Sequence, residues 1–214
     1  MRARGRLSAV VLLAAALAVG LVLPAGAHTT TTSPKGTASL AALLAQDGSG
    51  FDRNWNDYDI TDNAVTAVLK AKPDSAVAVL ADGTTPLTAF LPTDRAFRTL
   101  AEDLTGKRYK RESAVFNDLA STLGIDTIES VLLYHVVPGA TIAYQQARRA
   151  NGASLTTALT GGTLTVRVSC HRVVSLRDAD PDAANAKVVA PNLNKGNLQI
   201  AHGISRVLRP VDLP

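Results

Sequence analysis

Apolar residues in the first half of the chain recur at helical spacing. The stripe that contains Ile60 and Val68 predicts an amphipathic helix over residues 60–70, with Thr61 or Asp62 as its cap. Two more helices are predicted near the middle of the chain, one over residues 113–123 and the next from Asp126 onward. In the second of these, a glutamate three residues after the aspartate has the spacing of a capping box.

A strand and a helix are predicted to follow one another directly between these helices. The short apolar run over residues 87–91 predicts a strand that Pro92 ends. Thr93 or Asp94 then offers a short acceptor side chain that can cap a helix, which is expected to end near Gly106.

Beyond Ala153 the pattern changes to short runs of alternating polarity separated by Gly, Asn and Asp-Pro turn signals. These runs cover residues 154–159, 163–168, 172–176, 186–190, 197–201 and 204–208. A helical first half followed by hairpins predicts an α+β domain, with helices packed on antiparallel strands.

The start of the chain has the pattern of an export signal. Arg2, Arg4 and Arg6 precede an apolar run over residues 7–23, and an A-x-A site follows it. We predict a signal peptide over residues 1–27. Retention of this segment as an uncleaved anchor is the alternative, because the run is long for a signal peptide.

Removal of the signal leaves 187 residues (214 minus 27), which is enough for one domain with a substantial core. Residues 28–39 lack apolar periodicity and predict a flexible spacer, and residues 40–214 are predicted to form a single domain. No second apolar segment approaches membrane-spanning length. The expected localisation is secreted or extracellular, including association with the cell wall.

Charge argues against some classes of partner. The chain has 22 basic and 18 acidic residues, and three of the basic residues lie in the predicted signal, so the exported balance is 19 minus 18, or +1. A nearly neutral chain lacks the footprint of a nucleic-acid-binding protein, and the basic cluster at residues 107–111 is typical of a solvated loop. We expect no nucleic-acid partner and no membrane insertion after signal cleavage.

The single cysteine, Cys170, excludes an intrachain disulfide. Leu164, Val166, Val168 and Cys170 alternate along one predicted strand, which favours a buried thiol over a bond between chains.

Enzyme chemistry has little support in the sequence, which lacks the motifs G-x-S-x-G, H-E-x-x-H, G-x-x-x-x-G-K-[ST] and G-x-G-x-x-G. His202 and Ser205 are expected on opposite faces of a strand, and the adjacent Cys170 and His171 are expected to diverge. The aspartates of residues 178–182 alternate, but the glycine and glutamate of an EF-hand are missing. We expect no catalytic residue, no cofactor and no metal.

Three segments together resemble the signatures of the fasciclin domain family. They are residues 90–97 (FLPTDRAF), residues 134–139 (YHVVPG) and residues 200–210 (IAHGISRVLRP). Ser205 and Arg209 depart from the pattern, in which Asp and Leu are usual. The matching positions are Phe90, Pro92, Thr93, Asp94, Phe97, Tyr134, His135, Pro138, Gly139, His202, Ile204, Val207, Leu208 and Pro210.

The resemblance implies a compact α+β fold in which helices flank two antiparallel sheets arranged as a wedge. Animal members are associated with adhesion through the Tyr-His region, so Tyr134 and His135 are the candidate binding residues and the other matching positions are structural. The two side chains lie inside an apolar run, and we prefer a structural role for them as well. The opening segment over residues 51–60 resembles bacterial secreted members.

The resemblance therefore predicts a secreted or cell-surface, non-enzymatic binding or adhesion module. Its expected partner is an extracellular protein or polysaccharide, and a homodimer would allow a single domain to bridge two surfaces. One alternative is an extracellular carrier that holds a small molecule or lipid in an apolar crevice. A second alternative is an enzyme with an unfamiliar site.

Overall fold

The computed structural model describes residues 35–48 and 50–211. The predicted signal peptide lies outside the described residues, as does most of the predicted spacer. Five helices and seven strands lie within the described part of the chain, together with two short 3₁₀ helices at Ala45–Asp47 and Ala76–Ala81. In chain order they are α1 (Leu40–Leu44), α2 (Asp59–Ala71), β1 (Leu87–Pro92), α3 (Asp94–Thr105), α4 (Glu112–Tyr134), β2 (Val136–Pro138), α5 (Tyr144–Ala147), β3 (Ser154–Thr156), β4 (Thr163–Val168), β5 (Val174–Arg177), β6 (Ala186–Leu193) and β7 (Gln199–Ile204).

The predicted helices α2 and α3 are both present, but their caps differ from expectation. Neither Thr61 nor Asp62 caps α2; instead the Ile60 N–H donates to Oδ1 of Asp94 at 3.0 Å, a carboxylate from another helix. Thr93 is the N-cap residue of α3 without a side-chain bond, and Gly106 ends this helix in the left-handed conformation. Asp94 therefore caps α2 rather than the helix that it begins.

Helix α4 combines the two helices predicted around residue 124. Gly124 has a non-helical backbone (φ 73°, ψ 164°), which interrupts α4 between the two predicted segments. The expected capping box is wrong, because the carboxylates of Asp126 and Glu129 both form ion pairs with Lys72 instead. These pairs fasten the second half of α4 to the end of α2.

The strands form one mixed sheet of seven, in the order β2-β1-β7-β6-β5-β4-β3. Neighbours β1 and β7 are parallel and the other pairs are antiparallel. The predicted two-sheet antiparallel wedge is therefore wrong. The strands form one continuous sheet because β6 pairs with β5 through its first residues and with β7 through later ones.

The two edges of this sheet approach each other. Just after β3, the Ala158 N–H donates to the carbonyl of Val136 in β2 at 2.7 Å. Such a contact covers part of both edge strands, which otherwise present unpaired amides and carbonyls. The sheet therefore nearly closes on itself.

Among residues 35–48 and 50–211, the core consists of three apolar clusters. One lies between α1, α2 and one face of β1, the second lies inside the curved sheet, and the third lies between α2, α3 and the first half of α4. All six residues of β1 and of β7 are buried, because helices cover one side of these strands and the sheet interior covers the other. Parallel pairs are typical of strands buried on both faces.

Two further expectations about the β-rich half fail. Cys170 is exposed, because β4 ends at Val168 and the thiol lies in the turn before β5. The last predicted strand, residues 204–208, is absent because β7 ends at Ile204. Among the described residues, no helix has both the length and the apolar character that crossing a bilayer requires.

Candidate functional site

His135, in the second of the three segments, bonds to both the first and the last through its backbone and its ring. Its Nδ1 lies 2.7 Å from the carbonyl of Val131, and its Nε2 accepts the Leu208 N–H at 2.9 Å. Its own carbonyl accepts the Phe90 N–H at 2.9 Å. These partners require a neutral ring protonated on Nδ1, and burial lowers the pKa of His135 to about 4.

Tyr134 points into the sheet interior beside it. Its hydroxyl donates to the carbonyl of Thr163 at 2.8 Å, and burial, aided by the charge of Asp178, raises its pKa to about 12. Tyr134 is 1% exposed and His135 is 4% exposed. Neither side chain is at the surface in this conformation, so a direct contact between them and a partner stays a prediction.

His202 has a similar bridging position in β7. Its Nε2 donates to the carbonyl of Ile142 at 2.8 Å, and its Nδ1 accepts the Asn192 N–H at 3.2 Å. The ring also stacks on Phe90, with centroids 5.9 Å apart. Burial lowers the pKa of His202, and the hydrogen bond to Ile142 offsets part of this effect.

Most other matching positions are buried. Thr93 donates its backbone N–H to the carbonyl of Ile204 at 3.1 Å, which connects the first and last segments a second time. Pro138 and Gly139 are the exposed exceptions, in the turn after β2, where Gly139 has a φ of 79°. The positions with buried side chains are Phe90, Pro92, Thr93, Asp94, Phe97, His202, Ile204, Val207 and Leu208, and Pro210 is half-buried.

Arg209 has replaced an expected leucine and is nevertheless buried. Its guanidinium donates to Oδ2 of Asp180 at 3.0 Å and to Oδ2 of Asp103 at 2.7 Å. The carboxylate of Asp180 also accepts the N–H groups of Asp182 and Ala183. Burial by itself would raise the pKa of Asp180, but these bonds outweigh it and lower the pKa. The aspartate-rich loop of residues 178–182 is thus attached to Arg209.

A cluster of buried carboxylates lies beside the first segment. Asp57, Asp94 and Glu112 each offer an oxygen, and these oxygens lie within 4.8 Å of one another. Burial raises the pKa of Asp94 to about 8, and the neighbouring carboxyl groups of Asp57 and Glu112 act in the same direction, whereas the Ile60 N–H opposes them. A second group, formed by Asp52, Asp57 and Asp59, shares one member with the first.

Sequence reasoning missed this cluster. It attributed Asp94 to helix capping alone and gave no role to Asp57 or Glu112, which lie 55 positions apart (112 minus 57). A signal was present in the run DRNWNDYD over residues 52–59, where oxygen-bearing side chains recur every one or two positions.

His202 and Ser205 have separate hydrogen-bond partners. The Ser205 hydroxyl accepts the Lys187 N–H, whereas His202 bonds Ile142 and Asn192. The expectation that Cys170 and His171 diverge is wrong, because the thiol lies 3.5 Å from Nδ1 of His171 in an exposed turn.

Comparison of the chain with known protein families identifies one match. The model of the Fasciclin domain matches residues 62–210, well over half of the chain and all three segments. The chain belongs to the fasciclin domain family. No curated protein matches the chain.

A solved structure of a FAS1 domain pair, from the insect cell adhesion molecule Fasciclin I, is similar to this fasciclin domain chain at 16% identity and a TM-score of 0.43. The similarity covers 71% of this chain and 43% of that one, so the chain spans less than half of the insect domain pair.

Proposed function

We propose that this fasciclin domain protein is an exported, non-enzymatic binding or adhesion module whose partner is an extracellular protein or polysaccharide. The match of the Fasciclin domain to residues 62–210 carries the proposal. The contacts of the signature residues support it, since His135, His202 and Tyr134 bond backbone groups inside the fold. These side chains maintain the scaffold on which a binding surface is displayed.

An exposed turn at Pro138 and Gly139 follows the Tyr134–His135 pair along the chain. Both residues are exposed, and the Gly139 N–H is held by the carbonyl of Pro86 at 2.9 Å. The buried pair fixes the start of β2, so it positions this turn indirectly. We assign the contact with a partner to the turn and the positioning of the turn to Tyr134 and His135.

The test is binding of the purified protein to cell-envelope material and to a panel of extracellular polysaccharides, measured by biolayer interferometry. Pro138→Asp places a charge in the turn, and Pro181→Asp makes the same change at another exposed proline. Saturable binding that is lost only in Pro138→Asp supports the proposed surface. Equal binding by both variants refutes this surface, and no binding to any component refutes adhesion. Light scattering during the same experiments determines whether the protein is a homodimer.

A carrier function is the second candidate, because one pocket has appreciable size. It holds about 260 Å³ and is lined by Leu43, Leu44, Gln46, Tyr58, Asp59 and Leu193. Ligand pockets usually measure about 300 to 1,000 Å³, and the apolar cavities between the helices and inside the sheet hold only about 20 to 40 Å³. Native mass spectrometry of the secreted protein tests this candidate, which requires a co-purified ligand.

A further inference from the structure

Three carboxylates from separate elements converge at one buried point. Asp57 comes from the loop before α2, and Asp94 and Glu112 are the first residues of α3 and α4. Asp94 is 0% exposed and Glu112 is 1% exposed. Burial of several carboxylates together is costly unless a cation or a set of hydrogen bonds compensates the charge.

The hydrogen bonds leave part of this charge uncompensated. Oδ1 of Asp94 accepts the Ile60 N–H, and Oε2 of Glu112 accepts the Arg53 N–H, both at 3.0 Å. Oε1 of Glu112 is fully buried and has no hydrogen-bond partner among the described residues, whereas the side chains of Asp94 and Asp57 lie within hydrogen-bond reach of each other. Within that same part of the chain, no lysine, arginine or histidine forms an ion pair with Asp94 or Glu112.

We propose that Asp57, Asp94 and Glu112 bind one calcium ion. Calcium takes six to eight oxygen ligands at roughly 2.3 to 2.6 Å, so two ligands of one ion are separated by at most about 5 Å. The oxygens of the three carboxylates satisfy this limit, since they lie within 4.8 Å of one another.

The donor set selects among cations. All three donors are carboxylate oxygens, whereas zinc prefers nitrogen and sulfur in a tetrahedral arrangement. Magnesium requires a near-octahedral shell at about 2.0 to 2.1 Å, whereas calcium accepts the irregular arrangement of mono- and bidentate carboxylates that three separate elements present. Asp52 and Asp59 extend the acidic group around Asp57, and Asp52 is exposed to solvent.

The ion would fasten the loop over residues 51–58 to the first turns of α3 and α4. This loop already contacts α3, because the carbonyls of Trp55 and Asp57 accept the N–H groups of Arg95 and Asp94. The proposal replaces the expectation from sequence that the protein binds no metal. It does not rest on the proposed adhesion, because calcium binding is measured on the purified protein without a partner.

Terbium luminescence tests the site directly, because terbium(III) replaces calcium at oxygen sites and is sensitised by a nearby indole. Trp55 is the only tryptophan of the chain and lies two positions from Asp57. Excitation of Trp55 should give terbium emission that saturates at one ion per chain and is displaced by calcium. The absence of sensitised emission after addition of terbium would overturn the proposal. Emission that added calcium does not reduce would overturn it as well.

Carboxylate-to-amide variants locate the ion. Glu112→Gln and Asp94→Asn should each lose at least tenfold in calcium affinity, whereas Asp182→Asn, in the exposed part of the other aspartate-rich loop, should bind as the original protein does. Circular dichroism verifies folding, and Glu112→Gln carries the test if Asp94→Asn unfolds. Loss of binding in Asp182→Asn alone, or in none of the three variants, would overturn the assignment.

Thermal unfolding gives an independent measurement. Calcium at about a hundredfold excess over its dissociation constant should raise the Tm of the original protein by roughly 5 to 10 °C, and a chelator should reverse the rise. Glu112→Gln should show no rise. An unchanged Tm of the original protein with calcium, or an equal rise in Glu112→Gln, would contradict the proposal.

Discussion

The buried ring of His135 makes the stability of the protein depend on pH. Its pKa of about 4 in the folded protein lies below the ordinary value of 6.5, so the unfolded chain binds the proton first as pH falls. The stabilising contribution of His135 is therefore complete above pH 6.5 and is lost between pH 6.5 and pH 4. The shift of 2.5 (6.5 minus 4) corresponds to about 3 kcal/mol.

We expect His135→Gln to remove this pH dependence, because an amide keeps a donor and an acceptor but does not titrate. Urea unfolding at several pH values would measure the free energy of unfolding of both proteins. The original protein should lose about 3 kcal/mol of its free energy of unfolding relative to His135→Gln from pH 6.5 to pH 4. The comparison cancels the contributions of other groups, including Asp94, whose raised pKa acts in the opposite sense. Parallel curves would show that His135 is not neutral in the fold.

Gly162 packs so closely against Tyr134 that a larger residue does not fit there. A Cβ at Gly162 would lie 2.9 Å from the ring of Tyr134 and 2.3 Å from the hydroxyl oxygen of Thr157. Gly162→Ala should therefore displace the ring and cost roughly 1 to 3 kcal/mol. Gly161→Ala is not a matched control, because Gly161 has a φ of 78°. Ala158→Gly, a milder change at a neighbouring position, serves as the comparison. Equal stability of Gly162→Ala and the original protein in thermal unfolding would contradict the packing of Gly162 against Tyr134.

Among the elements, the loop between β5 and β6 is attached to Arg209 by a buried ion pair with Asp180 and by two hydrogen bonds of the Arg209 backbone. Arg209→Leu introduces the residue usual in the family but leaves the carboxylate of Asp180 buried without its guanidinium. Removal of one partner of a buried pair costs roughly 3 to 5 kcal/mol, so we expect a loss of this size in urea unfolding.

The matched double variant separates this pair from packing. Adding Asp180→Asn to Arg209→Leu removes the unpaired charge and should recover part of the loss, which a double-mutant cycle would quantify. If the two single changes are strictly additive, the ion pair has no role in attaching the loop.

The elements themselves were largely predictable, and their pairing was not. Local signals place α2 and α3, because the stripe through Ile60 and Val68 and the left-handed end at Gly106 both act within one or two turns of helix. The parallel pairing of β1 with β7 depends on layers of packing that no local pattern contains. The sequence did not predict the cap from Asp94 to Ile60 for the same reason, since it joins residues 34 positions apart.

At the scale of the whole molecule, β1 and β7 contribute residues both to the cluster under the helices α1 and α2 and to the cluster inside the sheet. Ile204 is fully buried in the cluster inside the sheet. Ile204→Ala should therefore cost about 2 to 5 kcal/mol, because it removes buried methyl groups and leaves a cavity. Val189→Ala, at a position 54% exposed on β6, is the control and should change stability by less than about 0.5 kcal/mol. Similar melting temperatures for the two variants would contradict the described core.

The candidate site was predictable only in part, because it is assembled over the whole chain. The sequence named His135 and Asp94 through the segments that resemble the family, and both are central to the structure. It could not show that Asp57 and Glu112 converge on Asp94, since carboxylates far apart in the chain carry no common pattern. Their convergence follows from the packing of α2, α3 and α4, which only the folded chain displays.

The parallel pairing of β1 with β7 also sets the order in which the chain can fold. Leu87 is in register with Gln199, 112 positions later (199 minus 87), so the central pair of the sheet requires the closure of a very long loop. Chains dominated by such distant contacts fold slowly. During synthesis, the core on both sides of β1 cannot be completed until β7 has emerged, so the growing chain stays open until its last strand is made.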